Sequence, residues 1–216
     1  RAATFAGAIA PVARAVLQGG AQALAPFTIR VMRPVMPGLA QSASSVADGL
    51  PGLGSPLLEW KLDGARVQVH KSGAEVRAYT RNLNDVTAAV PEIQDSVRSV
   101  NAQSLILDGE AIALRPDGRP HPFQTTMRRF GRKLDVDALR GELPLSVFFF
   151  DCLLLDGEPL VDRGAGERRG ILARVLAAGN LTPAVITSDL ARAEAFLADA
   201  LARGHEGVMA KALGAP

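Results

Sequence analysis

The chain has 216 residues, of which 48% are hydrophobic and 21% charged, and a formal net charge of +2. This composition is typical of a folded globular protein and excludes a disordered tail, while the single cysteine, Cys152, excludes an internal disulfide and a cysteine-based zinc site. No apolar run approaches the roughly 20 residues of a membrane span. The chain opens at Arg1 without a signal pattern, so we expect a soluble piece of a longer protein in a reducing compartment.

Positive charge comes almost entirely from arginine. Of the 24 basic residues, 20 are arginines and four are lysines. Base composition of the coding DNA can account for this imbalance, so it says little about partners. It does single out each lysine for examination, and the four are Lys61, Lys71, Lys133 and Lys211.

The first 56 residues predict two short helices followed by a linker. Apolar residues recur at loose helical spacing over 1–25 and are interrupted by Pro11 and by the pair Gly19-Gly20, so we interpret this segment as the tail of a preceding helical domain. Five of the fourteen prolines fall within 26–56, which predicts an extended linker and the strand that leads into a new domain.

Strand patterns begin at Leu57. Apolar residues at 58, 60 and 62 alternate with charged residues at 59, 61 and 63, and the alternation resumes over 65–69. The pair Ser72-Gly73 predicts a hairpin turn, with a returning strand over 75–81.

Later segments predict helices and strands in mixed order. Helical spacing over 85–100 has Pro91 in its first turn, and a second helix, capped by Ser188 or Asp189, ends at Gly204. Further strands are predicted over 105–114, 145–155 and 207–210. The sequence therefore predicts an α+β fold in which antiparallel sheets are flanked by helices.

Charged residues interrupt the first predicted strand. Alternation places Glu59, Lys61 and Asp63 on one face, opposite the apolar Trp60 and Leu62. A lysine between two acids is also typical of a solvated surface, so this stretch alone leaves a purely structural role open.

The same pattern recurs in two other strands. Asp108 and Glu110 flank a glycine within one of them, and Glu206 and Lys211 lie near opposite ends of the last. A structural sheet would favour neutral residues at such positions. Charged groups that converge from several strands suggest a site for a polyanion and a divalent cation.

Together these segments resemble the nucleotidyltransferase motifs of ATP-dependent DNA ligases. The motif sequences are most similar to those of the bacterial, actinobacterial-type enzymes. A lone Lys-x-Asp-Gly arises readily by chance, but four motifs in the right order do not, and the resemblance covers roughly three quarters of the chain. The matching segments are Lys-Leu-Asp-Gly-Ala-Arg at 61–66, Tyr-Thr-Arg-Asn at 79–82, Leu-Asp-Gly-Glu-Ala at 107–111, Pro-Phe-Gln at 122–124, Phe-Phe-Phe-Asp at 148–151 and Glu-Gly-Val-Met-Ala-Lys at 206–211.

The resemblance implies an ATP-grasp-like nucleotidyltransferase (adenylation) domain over 57–216, with two antiparallel sheets flanked by helices. Residues 1–25 would be the tail of an N-terminal helical DNA-binding domain, and 26–56 the linker and leading strand. Lys61 would be catalytic, because its amine would attack the α-phosphate of ATP to form lysyl-AMP and release pyrophosphate. A lysine can lose its proton near other cations, whereas an arginine stays charged.

The resemblance also implies ligands for ATP and for Mg²⁺, with Mn²⁺ as an alternative. Glu206 would hold the metal, and Glu110 would bind the ribose hydroxyl and assist the metal. The remaining ATP ligands would be Phe150 stacked on the adenine, Glu59 near the base edge, Arg66 and Arg81 on the ribose and phosphate side, and Lys211 on the α-phosphate.

The residue pattern by itself leaves different roles open. Phe150 belongs to a run of three phenylalanines, of which only the resemblance selects this one. Arg66 and Arg81 are also compatible with surface positions. Cys152 lies in an apolar run, which favours a small buried hydrophobe over a nucleophile.

A basic helix is expected over 123–133. It contains two phenylalanines together with arginines and Lys133, a composition equally typical of a solvated face and of a DNA contact. The resemblance implies that Phe123 enters the minor groove at a nick as an apolar wedge, with Arg128 and Arg129 on phosphates.

The leading hypothesis is therefore the adenylation domain of an ATP-dependent DNA ligase that seals nicked duplex DNA in replication, repair or recombination. We expect a cytoplasmic, nucleoid-associated monomer without membrane contact. The family's fifth motif and oligonucleotide-binding domain are expected beyond Pro216, so we expect this segment alone to adenylate weakly. Three competing hypotheses are an RNA ligase, an mRNA-capping guanylyltransferase and a silent nick-binding module. Intact Lys61, Glu110, Glu206 and Lys211 argue against the last.

Overall fold

The computed structural model describes residues 1–131 and 135–216, in which helices and strands mix along the chain. The helices are α1 (Ala2–Ala6), α2 (Ile9–Gly19), α3 (Val46–Gly49), α4 (Pro91–Arg98), α5 (Phe123–Phe130), α6 (Val136–Glu142), α7 (Ala165–Val175) and α8 (Leu190–Ala202). The strands are β1 (Leu57–Lys61), β2 (Ala65–Ser72), β3 (Glu75–Thr80), β4 (Ser104–Ala113), β5 (Leu145–Leu155), β6 (Glu158–Pro159), β7 (Ala184–Ile186) and β8 (Gly207–Lys211).

The strands form two antiparallel sheets. The larger sheet has the order β3-β2-β4-β5-β6, and the smaller has the order β7-β1-β8. Helices flank both, since α4 packs on β3 and β5, α7 on β5, and α8 on β8 and β1. The α+β prediction of two antiparallel sheets flanked by helices is confirmed.

One face of the larger sheet forms the main core. Because side chains alternate between faces along a strand, alternate residues of β2 and β4 point to this core, as do those of β5 up to Phe149, where its register shifts. Two helices cover this core, α4 through Ile93 and Val97 and α7 through Ile171 and Leu172. Fully buried side chains from the strands are Val67, Val69, Leu105, Leu107, Ala111, Phe149 and Cys152.

The opposite face of the larger sheet binds the linker. Gln68 accepts a hydrogen bond from the Val35 amide at 2.8 Å, and His70 Nδ1 accepts one from the Met32 amide at 2.9 Å. His70 Nε2 lies 2.9 Å from the same Gln68 oxygen, which makes Nε2 the protonated nitrogen. These bonds fasten the linker to β2.

Most predicted elements are confirmed at or near their expected bounds, with three differences. Asp189 rather than Ser188 caps α8, accepting a hydrogen bond from the Arg192 amide. The first two helices are separated at Gly7 and not at Pro11. Pro11 lies in the first turn of α2, where a proline is tolerated. Within 26–56, a stretch that the structure describes throughout, there is no strand beyond an isolated bridge between Arg30 and Arg33, and the leading strand starts at Leu57.

Cys152 is buried and free, as the apolar run predicted. Burial raises the pKa of its thiol to about 12, which suits a small core residue and not a nucleophile. No helix in the described ranges is both long and apolar enough to cross a membrane.

Candidate active site

Lys61 ends the central strand of the smaller sheet. It pairs with Gly207 of β8, and the Glu206 amide donates a hydrogen bond to the Lys61 carbonyl at 3.0 Å. The Lys61 ammonium forms an ion pair with the Glu206 carboxylate, and 49% of the lysine side chain is exposed. The backbone of Lys61 is thus held in a sheet while its amine faces solvent.

A tight turn carries the chain from Lys61 to the larger sheet. A Cβ added at Gly64 would lie 2.5 Å from the Ala111 carbonyl oxygen and 2.6 Å from Ile112 Cγ1, so only glycine fits against β4. The Gly of the Lys-x-Asp-Gly segment therefore lets the two sheets meet beside Lys61, and it brings Glu110 of β4 near the lysine.

Glu110 of β4 pairs with Arg66 of β2 on one side and with Phe148 of β5 on the other. Burial raises the pKa of Glu110 to about 8, against the attraction of Arg66 and Lys61. A carboxyl group with this pKa exists in both protonation states near neutral pH.

Arg66 binds Asp108 through two parallel hydrogen bonds. Arg66 Nε lies 3.0 Å from Oδ1 and Nη2 lies 2.6 Å from Oδ2, while Nη1 donates to the Gly38 carbonyl at 3.2 Å. This fork fixes the guanidinium group, whose carbon lies 5.5 Å from the centre of the Phe150 ring.

A register shift in β5 separates the three phenylalanines. Asp108 pairs with Asp151 and Gly109 with Phe149, so Phe150 has no direct partner on β4. Gly109 is required here, because an added Cβ would lie 2.7 Å from the Phe148 carbonyl oxygen. Phe149 enters the core, whereas Phe150 stays half-buried among charged residues.

Glu59 is buried rather than solvated. Only 2% of its surface is exposed, so the alternative of a solvated face shared with Lys61 and Asp63 does not hold for Glu59. Lys211 Nζ lies 2.5 Å from Glu59 Oε2, and Arg169 Nη1 lies 3.3 Å from Oε1. Burial raises the pKa of Glu59 while the two cations oppose this, and together they compensate the buried charge.

Lys211 joins Glu59 to Phe150. Lys211 of β8 and Glu59 of β1 lie on adjacent strands, since Leu57 pairs with Lys211 and Glu59 with Met209. The Lys211 ammonium lies 5.0 Å from the centre of the Phe150 ring. The structure thus brings together seven of the predicted residues, namely Glu59, Lys61, Arg66, Glu110, Phe150, Glu206 and Lys211.

Arg81 is separate from this group. It is exposed in the turn that follows β3, and no ion pair or hydrogen bond joins its side chain to the group within residues 1–131 and 135–216. Its predicted contact with nucleotide stays a prediction.

The predicted DNA-binding helix corresponds to α5. Phe123 is 41% exposed and Arg128 is exposed, so both can reach a partner. Arg129 is 1% exposed, and its guanidinium group pairs with Glu92 and donates to the carbonyls of Ala89, Leu139 and Leu143. The DNA contact predicted for Arg129 is wrong because these partners bury it. Arg132 and Lys133 lie outside the described residues.

Glu206 and Glu110 are the carboxylates of the site that could hold a magnesium ion together with a phosphate ligand. Within the part of the chain that is described, no three acidic, His or Cys side chains form a ready-made metal cluster. Mg²⁺ commonly takes only one or two protein carboxylates and completes its shell with phosphate oxygens and water. Glu206 and Glu110, which both lie close to Lys61, supply oxygen donors of this kind.

Comparison with known proteins identifies the class of this fold and site. Residues 37–216 match the family model described as "ATP dependent DNA ligase domain". The match covers most of the chain, so the chain belongs to the ATP-dependent DNA ligase domain family.

Several relatives carry the name of a DNA ligase. The chain is 58% identical to a "Probable DNA ligase" of Anaeromyxobacter sp. (strain Fw109-5), over all of this chain and 42% of that protein. It is 51% identical to a "Probable DNA ligase" of Mycobacterium sp. (strain KMS), over all of this chain and 41% of that protein. The chain therefore spans about two fifths of the length of these relatives.

Solved structures agree with this assignment. The ligase domain of LigD from M. tuberculosis is 30% identical, with a TM-score of 0.63 over 81% of this chain and 53% of that one. A structure of mycobacterial DNA ligase D complexed with ATP and MES is 26% identical, with a TM-score of 0.61 over 82% of this chain and 54% of that one.

Sequence reasoning missed Arg169. It lies on α7, which was not predicted, and it is one of 20 arginines. Nothing in its local sequence marks it as a partner of Glu59, because the contact joins positions 110 residues apart.

Proposed function

We propose that this chain is the adenylation domain, over 57–216, of an enzyme that seals nicks in duplex DNA with ATP. The observation that carries the proposal is the ion pair of Lys61 with Glu206, set beside Glu59, Glu110 and Phe150 where the two sheets meet. Family membership supports the same function.

Lys61 is the proposed nucleophile. Its unprotonated amine attacks the α-phosphorus of ATP, an N–P bond forms, the bond to pyrophosphate breaks, and the amine proton leaves to solvent. The strand position of Lys61 supports this role, because its backbone is fixed in the sheet while its side chain is half-exposed.

Glu206, with assistance from Glu110, is the proposed holder of Mg²⁺. When bound, the metal would neutralise phosphate charge in the transition state. The carboxylate of Glu206 now binds the Lys61 ammonium, so a cation that takes this carboxylate would release the amine from its ion pair.

The remaining residues orient the nucleotide. Phe150 offers a ring for the adenine, Glu59 an acceptor for the base edge, and Glu110 an acceptor for a ribose hydroxyl. Arg66, fixed by Asp108, and Arg81 are proposed on the ribose and phosphate side, and Lys211 on the α-phosphate.

Nicked DNA is the proposed second substrate. AMP would pass from Lys61 to the 5′-phosphate, which the 3′-hydroxyl then attacks with release of AMP. The exposed Phe123 and Arg128 of α5 are the proposed DNA contacts, with an oligonucleotide-binding domain acting in cis in a monomer at the nucleoid. Unchanged binding of nicked duplex by Phe123→Ala would contradict the Phe123 contact.

The direct test is covalent labelling of the full-length protein. It is incubated with α-labelled ATP and Mg²⁺ and then denatured, and we expect label on the wild type and none on Lys61→Ala or on Lys61→Arg, which keeps the charge. Thermal melting verifies that both variants fold. Label that survives Lys61→Ala refutes the proposed nucleophile, and an unlabelled wild type favours a silent nick-binding module. Labelling by GTP would favour an mRNA-capping guanylyltransferase, and sealing of nicked RNA would favour an RNA ligase.

A further inference from the structure

Three side chains on one face of β2 bind the backbone of the linker. Arg66, Gln68 and His70 share this face because side chains alternate along a strand. The three pairs are His70 with Met32, Gln68 with Val35, and Arg66 with Gly38. As the linker runs forward over 32–38, its partners run backward along β2, so the linker lies antiparallel to the strand and reaches the candidate active site at Arg66.

Gln68 forms the central contact of this series. Its Oε1 accepts a hydrogen bond from the Val35 amide at 2.8 Å, and its Nε2 donates to the Val35 carbonyl at 3.3 Å. Both residues are 5% exposed. His70 Nε2 donates to the same Gln68 oxygen at 2.9 Å, which fixes the orientation of the amide. One side chain thus satisfies both backbone groups of a buried linker residue.

The sheet also holds Met32 in an unfavourable backbone conformation. Met32 has a φ of 63°, in the left-handed region that residues other than glycine rarely occupy. Its amide donates to His70 Nδ1 at 2.9 Å, and its carbonyl accepts a hydrogen bond from the Tyr79 hydroxyl at 3.3 Å. Such a conformation persists only where the surroundings fix it, so contacts with the sheet determine the path of the linker.

Arg66, at the end of the series, uses three of its five N–H groups within the protein. Nε and Nη2 donate to Asp108 along one edge of the guanidinium plane, and Nη1 donates to the Gly38 carbonyl from the other edge. Two bonds along one edge leave the plane free to tilt about that edge, and the third bond prevents the tilt. One N–H on each terminal nitrogen then remains for a ribose or phosphate oxygen.

The position of the Gly38 carbonyl depends on the linker residues before it, because Gly38 itself is exposed. Pro37 restricts the backbone between Val35 and Gly38. The Met36 amide donates to the Thr4 carbonyl of α1 at 3.0 Å, which fastens the same stretch to the N-terminal segment. Release of Val35 from Gln68 would therefore move the Gly38 carbonyl away from Arg66.

We propose that the docked linker is part of the nucleotide site, and that Gln68 is a positioning residue that holds the linker so that the Gly38 carbonyl fixes Arg66. The inference rests on the proposed function, in which Arg66 contacts the ribose and phosphate side of ATP. A nucleotide that binds the docked form more tightly must strengthen docking by the same factor. Residues 32–38, which precede the proposed adenylation domain, thereby take part in nucleotide binding.

The first test measures the affinity of the full-length protein for an ATP analogue with a methylene group between the α- and β-phosphates, by calorimetric titration. Gln68→Met roughly keeps the volume of the side chain but removes both bonds to Val35. Gln94→Met is the matched control. Gln94 also donates to a backbone carbonyl, that of Thr87 at 2.7 Å, but it lies on α4, which covers the opposite face of the larger sheet.

Gln68→Met should raise the dissociation constant about fivefold, and Gln94→Met should stay within about twofold of the wild type. In an Arg66→Lys background, Gln68→Met should change the constant by less than about twofold, because lysine cannot make the three bonds of Arg66. Unchanged affinity in Gln68→Met overturns the inference. An equal loss in the Arg66→Lys background or in Gln94→Met also overturns it, since the effect would then not pass through Arg66 or not be specific to the linker.

The second test is amide hydrogen exchange of the wild type, with and without saturating analogue. Exchange over 32–38 should slow about fivefold, whereas exchange over 39–45, where every residue is exposed, should not change. This test needs no substitution, so it carries the inference if Gln68→Met fails to fold on thermal melting. Equal exchange over 32–38 in both states overturns the inference. Absence of covalent label on the wild type is a different outcome, because it refutes the proposed function itself.

Discussion

The ammonium group of Lys211 lies 5.0 Å from the centre of the Phe150 ring. The same group forms an ion pair with Glu59 Oε2 at 2.5 Å, so one side chain contacts both the proposed stacking surface and the proposed base-edge acceptor. We expect a base that stacks on Phe150 to displace this ammonium group, and a nearby phosphate to compensate for its lost partner.

Lys211→Ala should therefore affect two ligands in opposite directions. Adenosine, which has no phosphate, should bind about threefold more tightly because the ring no longer has to be cleared. An ATP analogue with a methylene group between the α- and β-phosphates should bind about tenfold more weakly because a phosphate ligand is lost. Calorimetric titration of both ligands measures this, and equal weakening of the two would contradict the displacement.

Gly64→Ala should disrupt the turn that follows Lys61. The added methyl would meet the Ala111 carbonyl at 2.5 Å, so we expect a loss of about 1–3 kcal/mol in the free energy of unfolding and a roughly 10- to 100-fold slower adenylation. Gly141→Ala is the control, because a Cβ there meets no atom within 4 Å. Urea unfolding and labelling rates test both, and equal effects at the two glycines would refute the role of close approach.

Arg129→Ala should destabilise the fold. Removing one partner of a buried ion pair leaves Glu92 uncompensated, and we expect a loss of about 3–5 kcal/mol in the free energy of unfolding. The neighbouring Arg128→Ala changes an exposed side chain and should stay within about 0.5 kcal/mol of the wild type while weakening the binding of nicked duplex. Denaturant unfolding of both variants distinguishes a structural from a DNA-contacting arginine, and a stable Arg129→Ala would contradict the assignment.

His70 should make stability depend on pH in a defined window. Burial lowers the pKa of His70 to about 3 from its ordinary value of 6.5, so between these values the unfolded chain binds a proton that the folded chain does not. The free energy of unfolding should therefore fall as pH drops below about 6.5, by at most about 1.4 kcal/mol per pH unit from this residue.

The test compares the wild type with His70→Gln at pH 5 to 7, above the range in which most carboxylates titrate. His70→Gln should remove the part of the slope that is due to His70. A wild-type slope that persists in His70→Gln would assign the pH dependence to different groups.

Much of the fold was predictable from local sequence patterns. The run over 145–155 is confirmed as β5 because a continuous apolar stretch between turn signals suits a strand buried within a sheet. In contrast, α7 escaped prediction because two glycines and three arginines within Ala165–Val175 weaken its apolar periodicity. Its buried face is defined by packing on β5, which no local pattern encodes.

The site was predictable through its motifs but not through its contacts. Strand alternation placed Glu59 on the face of Lys61, yet burial of Glu59 depends on Lys211 and Arg169, which are remote in sequence. Likewise, the family resemblance implied a DNA contact for Arg129, and only its position beside Glu92 reveals a structural role. Register shifts that expose Phe150 lie equally beyond a single-sequence pattern.

Because the chain contains few lysines, an amine-directed reagent can label the site selectively. Of the three lysines that the structure describes, Lys71 is 6% exposed, and its ammonium donates to the carbonyls of Arg98, at the end of α4, and of Val100, just beyond it. The Lys211 side chain is 25% exposed. The Lys61 side chain, at 49%, is the most accessible of the three. An amine-directed reagent followed by peptide mass mapping therefore has few competing targets in this chain, and protection of Lys61 can serve as a direct footprint of nucleotide.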